Sequence, residues 1–169
     1  MALAAAAARV CRHAAARHLP SRWLLPAPLR LMASASGPGT SDGFPDTVFG
    51  KILRKEIPSS VVYEDDSVYA FNDIAPQAPV HVVVIPKVRD GLVGIQAAED
   101  RHAAILGKLM LAASKVAKAA GVAEGGYRVV VNAGEHGCQT VDHIHLHVIG
   151  GKQLTWPPGT GAPEGSKTA

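Results

Sequence analysis

The chain has 169 residues and a formal charge of +3, from 17 Lys and Arg against 14 Asp and Glu. Arg9, Arg12, Arg17, Arg22 and Arg30 all fall within residues 1–41, which hold no carboxylate, so residues 42–169 carry 12 bases and 14 acids, a net of −2. That balance gives no support to a nucleic-acid footprint on the folded part; no apolar run approaches the ~18 residues of a membrane span, and the length suits one compact domain of about 100–150 residues.

Met1 to Leu31 is rich in Ala and Arg and lacks acids. This is the composition of an organelle transit peptide, because a secretory signal would place its charge before one continuous apolar core; the alternative is a disordered, Ala-rich extension with no address. The scarcity of serine before Met32 favours a mitochondrion over a plastid. A start at Met32 would give a leaderless cytosolic form. Of the two cysteines, Cys11 would leave with the leader and Cys138 would remain alone, which fits a reducing compartment. Residues 32–45, with Gly, Ser, Pro and Thr, read as a flexible linker.

Beyond the linker, Asp46 or Thr47 caps a short helix with Val48, Phe49, Ile52 and Leu53 on one face, ended by Pro58. Three strand-like runs follow: Val61 to Tyr63, Val68 to Asn72 and His81 to Ile85, the first two joined by a turn at Asp65-Asp66. Ala97 to Ala120 is the one long helix, with Ile105, Leu109, Ala112, Val116 and Ala119 at helical spacing and Gly121 at its C-terminal stop. Tyr127 to Asn132 and Asp142 to Ile149 are two further strands. The residues after Gly159 (160–169) are small and polar and read as a disordered tail. Strands on either side of one long helix imply an α+β domain with a largely antiparallel sheet.

The informative stretch is His143-Ile144-His145-Leu146-His147-Val148-Ile149. Strand alternation puts the three imidazoles on one face and Ile144, Leu146 and Val148 in the core. Imidazoles in a row sacrifice β-propensity without a packing gain, so a polar partner is implied. A metal needs its ligands at ~2.0–2.1 Å from one point, and a straight strand spreads three alternate side chains over roughly 13–14 Å. One central nucleophile with binding and orienting neighbours suits the linear spacing better. The remaining alternative is a solvated surface run.

This His-x-His-x-His pattern resembles the histidine-triad (HIT) family, and the accompanying segments resemble its Hint branch of nucleoside phosphoramidases. Those segments are Phe49-Gly50-Lys51-Ile52 with Arg54 to Pro58, Tyr63 to Asp66, Ala75 to His81 with Ile85-Pro86-Lys87, Gly126 to Asn132, Gly150 to Gln153 and Trp156-Pro157-Pro158-Gly159. The resemblance covers residues 46–159. It implies a HIT-type α+β fold, one long and one short helix, and a two-fold homodimer. It implies hydrolysis of adenosine 5′-phosphoramidate, with adenylyl sulfate as a further substrate, through a nucleotidyl-histidine. No cofactor is implied; zinc would be bound without being catalytic. Under it His145 is the nucleophile, His147 donates to a phosphate oxygen, His143 orients the central ring, His81 completes the cluster and Thr140 serves the leaving group. Asp73, Ile74, Asn132, Cys138 and Gln139 would contact the nucleotide beside Thr140, His145 and His147, while Ile52, Ile57 and Phe71 form the base slot. Trp156 would reach the partner's pocket. Thr140 stands where the family commonly has Ser. Asp142 replaces an aromatic residue, with an expected effect on packing rather than catalysis. The competing function is a zinc- or nucleotide-binding regulatory scaffold with little turnover.

Overall fold

A computed structural model describes residues 42–156. The transit peptide, the alternative start at Met32, linker residues 32–41, Pro157-Pro158-Gly159 and the tail lie outside the described residues.

The elements are α1 (Val48–Leu53), β1 (Val61–Glu64), β2 (Val68–Asn72), β3 (Val80–Pro86), α2 (Ala103–Ala119), β4 (Tyr127–Val130) and β5 (Leu146–Gly150). The five strands form one antiparallel sheet in the order β1-β2-β3-β5-β4, which is the expected α+β architecture. Alternation along the strands separates two apolar layers. Val68, Ala70, Val82, Val84, Leu146 and Val148 face α2, meeting Leu109, Ala112, Ala113, Val116 and Ala117. Tyr69, Phe71, Val83 and Ile85 face the other way and are covered by Phe49 and Ile52 of α1. The histidines share this second, smaller face.

Four element boundaries differ from the sequence expectation by two residues or more. Helix α1 is capped by the Thr47 hydroxyl, which accepts from Gly50 N at 3.1 Å, and stops at Leu53 rather than running to Pro58. Lys55, at φ +63, has already left helical space. Helix α2 starts at Ala103, not Ala97, because two 3₁₀ turns, Ile95–Ala97 and Asp100–His102, occupy its approach. The second carries a reciprocal cap in which Glu99 N donates to His102 Nδ1 at 2.9 Å. Strand β4 ends at Val130, two residues before Asn132. Strand β5 begins at Leu146 instead of Asp142: it pairs with β3 only as far as Val84, and Pro86 has no N–H to extend the ladder. Ile144 N turns instead to Leu92 O at 2.8 Å. Of the three triad histidines, only His147 is therefore in a strand. The facing still follows the pattern, with Ile144, Leu146 and Val148 all buried. The stripe on α2 is also shifted, since Ala119 is exposed while Ala113 and Ala117 are buried.

Candidate functional site: a histidine cluster with fixed tautomers

Each histidine is held through at least one ring nitrogen, and those bonds define where the protons sit. His145 Nδ1 lies 2.7 Å from its neighbour's backbone carbonyl, His143 O. A carbonyl only accepts, so Nδ1 carries the hydrogen and Nε2 keeps the lone pair. His143 Nε2 lies 3.0 Å from Pro86 O and is the protonated nitrogen of that ring by the same rule. The short loop that replaces the strand at 143–145 is what turns the His143 carbonyl toward the next imidazole.

The outer pair forms a relay. Gln77 N donates to His81 Nδ1 at 3.1 Å, so neutral His81 carries its hydrogen on Nε2. That nitrogen is 2.9 Å from His147 Nδ1; His81 donates and His147 accepts. His147 is left with its hydrogen on Nε2, as a donor. Asp73 closes the group, with Oδ2 at 3.5 Å from His81 Nε2 and 3.8 Å from His147 Nδ1. Its Oδ1 accepts from Ala75 N at 2.8 Å, and its own N–H donates to His81 O at 2.9 Å, so an Asx turn fixes the carboxylate at the end of β2.

Burial decides the charge state. It pushes His147 down to about 4, with the neighbouring His145 and His81 acting the same way and Asp73 opposing. His143 is likewise lowered to about 4, chiefly by burial and further by Arg89, against the Pro86 carbonyl. His145 and His81 are lowered by burial against smaller opposing effects, including that of Asp73. The four imidazoles are therefore neutral near pH 7, with an unengaged lone pair on His145 Nε2 and an N–H donor on His147 Nε2.

The rings are wedged by α1. Phe49 meets His145 edge-on at 5.1 Å between centroids and His143 at 5.9 Å, while His145 and His147 meet edge-on at 5.0 Å. The implied base-slot residues Ile52 and Phe71 are buried in the same layer, with Ile57 half-buried at its margin. Phe49 belongs to the site as firmly as they do, and its place in the α1 apolar stripe was the signal for it.

The loop 132–142 brings the remaining residues. Asn132 is half-buried, and Cys138 and Thr140 are exposed; Cys138 has φ +59. Gln139 is engaged within the loop. Its amide donates to Val93 O at 2.5 Å and Val141 O at 3.0 Å, and its Oε1 accepts from Gly134 N at 3.1 Å. This side chain braces the segment that enters the triad. Asp142 is exposed and contributes through its backbone carbonyl, which accepts from Arg89 at 3.0 Å. Ile74 and Trp156 project outward, 86% and 81% exposed. Arg89, Pro86 O and Gln77 N had no distinguishing signal in the sequence.

Three donors also converge in a way that suits a metal: Asp73, His81 and His147 present ligand atoms all within 4.8 Å of one another. Bonds of ~2.0–2.1 Å in a tetrahedron place donors about 3.3 Å apart, close to the separations of 2.9, 3.5 and 3.8 Å found here. The trio comes from two strands and a strand end, not from the linear triad. Using it would require His81 Nε2 to lose its hydrogen, and the Gln77 N–H directed at Nδ1 opposes the compensating tautomer.

The HIT domain family model matches residues 54–154. The chain is 62% identical to a 14 kDa zinc-binding protein of Brassica juncea, over 68% of this chain and 100% of that one. It is 61% identical to adenylylsulfatase HINT1 of Arabidopsis thaliana, over 67% of this chain and 76% of that one. Among solved structures, a HIT family hydrolase from Legionella pneumophila Philadelphia 1 superposes with a TM-score of 0.65 at 46% identity, covering 68% of this chain and 100% of that one. A histidine triad nucleotide-binding protein from Candida albicans gives 0.55 at 30% identity, over 69% and 86%. With its imidazoles in the triad order and a family match that spans the sheet and α2, the chain belongs to the HIT-domain family.

Proposed function

We propose that this protein hydrolyses nucleoside 5′-phosphoramidates, those of adenosine foremost, to the nucleoside monophosphate through a covalent nucleotidyl-His145 intermediate, with adenylyl sulfate as a second substrate. The observation that carries this reading is the bond from His145 Nδ1 to His143 O, which leaves a neutral imidazole with its Nε2 lone pair available. In the first step that lone pair attacks the α-phosphorus, the P–N bond breaks, and the departing nitrogen takes its electron pair and a proton relayed from solvent through the Thr140 hydroxyl. The His147 Nε2–H donates to a non-bridging oxygen as charge develops there. Water then adds to phosphorus, the imidazole–phosphorus bond breaks, and the water proton returns to solvent. Asp73 accepts from the ribose hydroxyls, and Phe71, Ile52 and Ile57 pack on the base. With adenylyl sulfate the leaving group is sulfate and needs no proton. The relatives named above, a hydrolase, an adenylylsulfatase and a nucleotide-binding protein, are consistent with this chemistry.

A second reading, a zinc-binding regulatory module with little turnover, draws on the Asp73–His81–His147 donor set and on the name of the Brassica relative. The two part on one experiment. His145→Ala should lose at least about 10³-fold in turnover of adenosine 5′-phosphoramidate, comparable to removal of a nucleophile, while still binding AMP, and wild-type turnover should persist in excess chelator. Activity that vanishes with chelator and returns with zinc would reject the metal-free mechanism.

The same family reading carries a two-fold homodimer. Met110 and Leu111 on the outer side of α2, 54% and 66% exposed, and Val131 beyond β4, 38% exposed, are the apolar surface that such pairing would cover.

A further inference from the structure

The triad is entered from a segment whose geometry depends on residues far upstream. Asp42 to Pro45, which the composition assigns to the linker and which lie before the matched domain at 54–154, are fastened to the site by Arg89. The Arg89 guanidinium is held in a two-pronged pair with Asp42, Nε to Oδ2 at 2.5 Å and Nη2 to Oδ1 at 2.7 Å. Its Nη1 donates to two carbonyls at once, Pro45 O and Asp142 O, both at 3.0 Å. The Phe44 ring lies 5.4 Å from its central carbon. Arg89 is only 7% exposed, and its planar fork is the one side-chain geometry that can meet a carboxylate side-on and reach carbonyls on its outer edge.

What this arrangement holds is the residue next to the first triad histidine. Asp142 O is fixed by Arg89, His143 Nε2 donates to Pro86 O three residues before Arg89, and His143 O receives the His145 Nδ1–H. Together with the Asp42–Arg89 pair, the bonds to Asp142 O and His143 O link the upstream segment to the ring that carries the nucleophilic lone pair. A buried ion pair adds little net stability after desolvation, so its consequence here lies in geometry.

We infer that Asp42 and Arg89 form a positioning pair for His145, supplied in part by chain that precedes the HIT domain, and that the catalytic tautomer of His145 depends on it. Asp42 carries Arg89 into register, Arg89 sets the Asp142 carbonyl, and the His143 carbonyl follows. Neither residue touches substrate. The inference rests on the reading of His145 as nucleophile, but its spectroscopic test does not.

The test uses the full chain with Asp42→Asn, Asp42→Glu, Arg89→Gln and Arg89→Lys. Ring ¹⁵N shifts of His145 should move from a single Nδ1–H tautomer toward a mixture in Asp42→Asn and Arg89→Gln. With adenosine 5′-phosphoramidate, kcat should fall about tenfold, an angstrom-scale misplacement being worth up to about 10², while KM and AMP affinity stay within about twofold. Arg89→Lys should resemble Arg89→Gln, because a point charge cannot hold the carboxylate and both carbonyls; Asp42→Glu should recover part of kcat. Asp42→Asn keeps the side-chain volume and serves if Arg89 variants do not fold. An unchanged His145 tautomer in folded Asp42→Asn, or a loss confined to KM, overturns the inference. Altered tautomers with no turnover in any variant, wild type included, would leave it standing and reject the proposed reaction instead.

Discussion

His143 and His147 both have folded-state values near 4, against about 6.5 for an unperturbed imidazole. Between those values the unfolded chain takes up protons that the folded one refuses, so folding weakens as the pH falls. The contribution is complete above about pH 6.5 and is lost progressively toward pH 4. The lowered carboxylates of Asp65, held by the Ser67 N–H and Tyr63 hydroxyl, and Asp46, held by Arg54, lose theirs only below their unfolded values of about 4. The melting temperature should therefore decline already between pH 7 and 5, and His147→Gln should flatten that decline. A wild-type melting temperature constant over this interval would contradict neutral burial of the cluster. The residues themselves were legible: three alternate histidines with apolar neighbours call for a polar partner, and His81 and Asp73 came with the family pattern. Their partners were not. Pro86 O, His143 O and Gln77 N are backbone groups that every residue type offers, and only the fold selects which of them faces an imidazole.

At the scale of elements, long periodic segments were readable and their ends were not. The Gly121 stop on α2 is a two-bond reversal, Gly121 N to Lys118 O at 3.1 Å and Val122 N to Ala117 O at 3.0 Å, with Gly121 at φ +71, as Gly after a helical run implies. The start of α2 eluded periodicity because the Glu99–His102 cap redirects the backbone into 3₁₀ turns, and β5 was overextended because a proline on β3 ended the ladder. Two glycines separate structural from catalytic constraint. An Ala at Gly121 has open space for its methyl but adopts left-handed backbone, so Gly121→Ala should cost about 1 kcal/mol with kcat unchanged. At Gly137 a methyl would lie within 3 Å of the Ala133 backbone oxygen and nitrogen, and the loop carrying Gln139 and Thr140 must move. Gly137→Ala should reduce turnover by about tenfold or more. Urea melts and turnover of the two variants check this; equal activity in both would show that the loop's shape is irrelevant to the reaction.

For the whole molecule, the sheet buries one layer under α2 and a smaller one under α1, leaving β4 as an edge strand paired only with β5. The β4 edge and the exposed Met110 and Leu111 on an Ala-rich helix offer hydrogen-bonding and apolar surface to a second copy, and two-fold pairing places the same patch on both protomers. A charge in that patch has no counter-charge when it meets its own copy, so Leu111→Glu should give a monomer in sedimentation while the wild type sediments as a dimer. Trp156 bears on what the partner does. Arg128 Nη2 donates to Thr155 O at 2.7 Å, which anchors the chain just before an indole that is 81% exposed in the single protomer. An indole so placed presents a broad apolar face to whatever approaches it. In a dimer that reaches the partner's site, Trp156→Ala should lose more turnover as the leaving amine grows, and Leu111→Glu should show the same dependence because its Trp156 has no partner pocket to enter. A fully active Leu111→Glu monomer, or equal losses for ammonia and for a bulky amine in Trp156→Ala, would confine the indole to its own C-terminal segment.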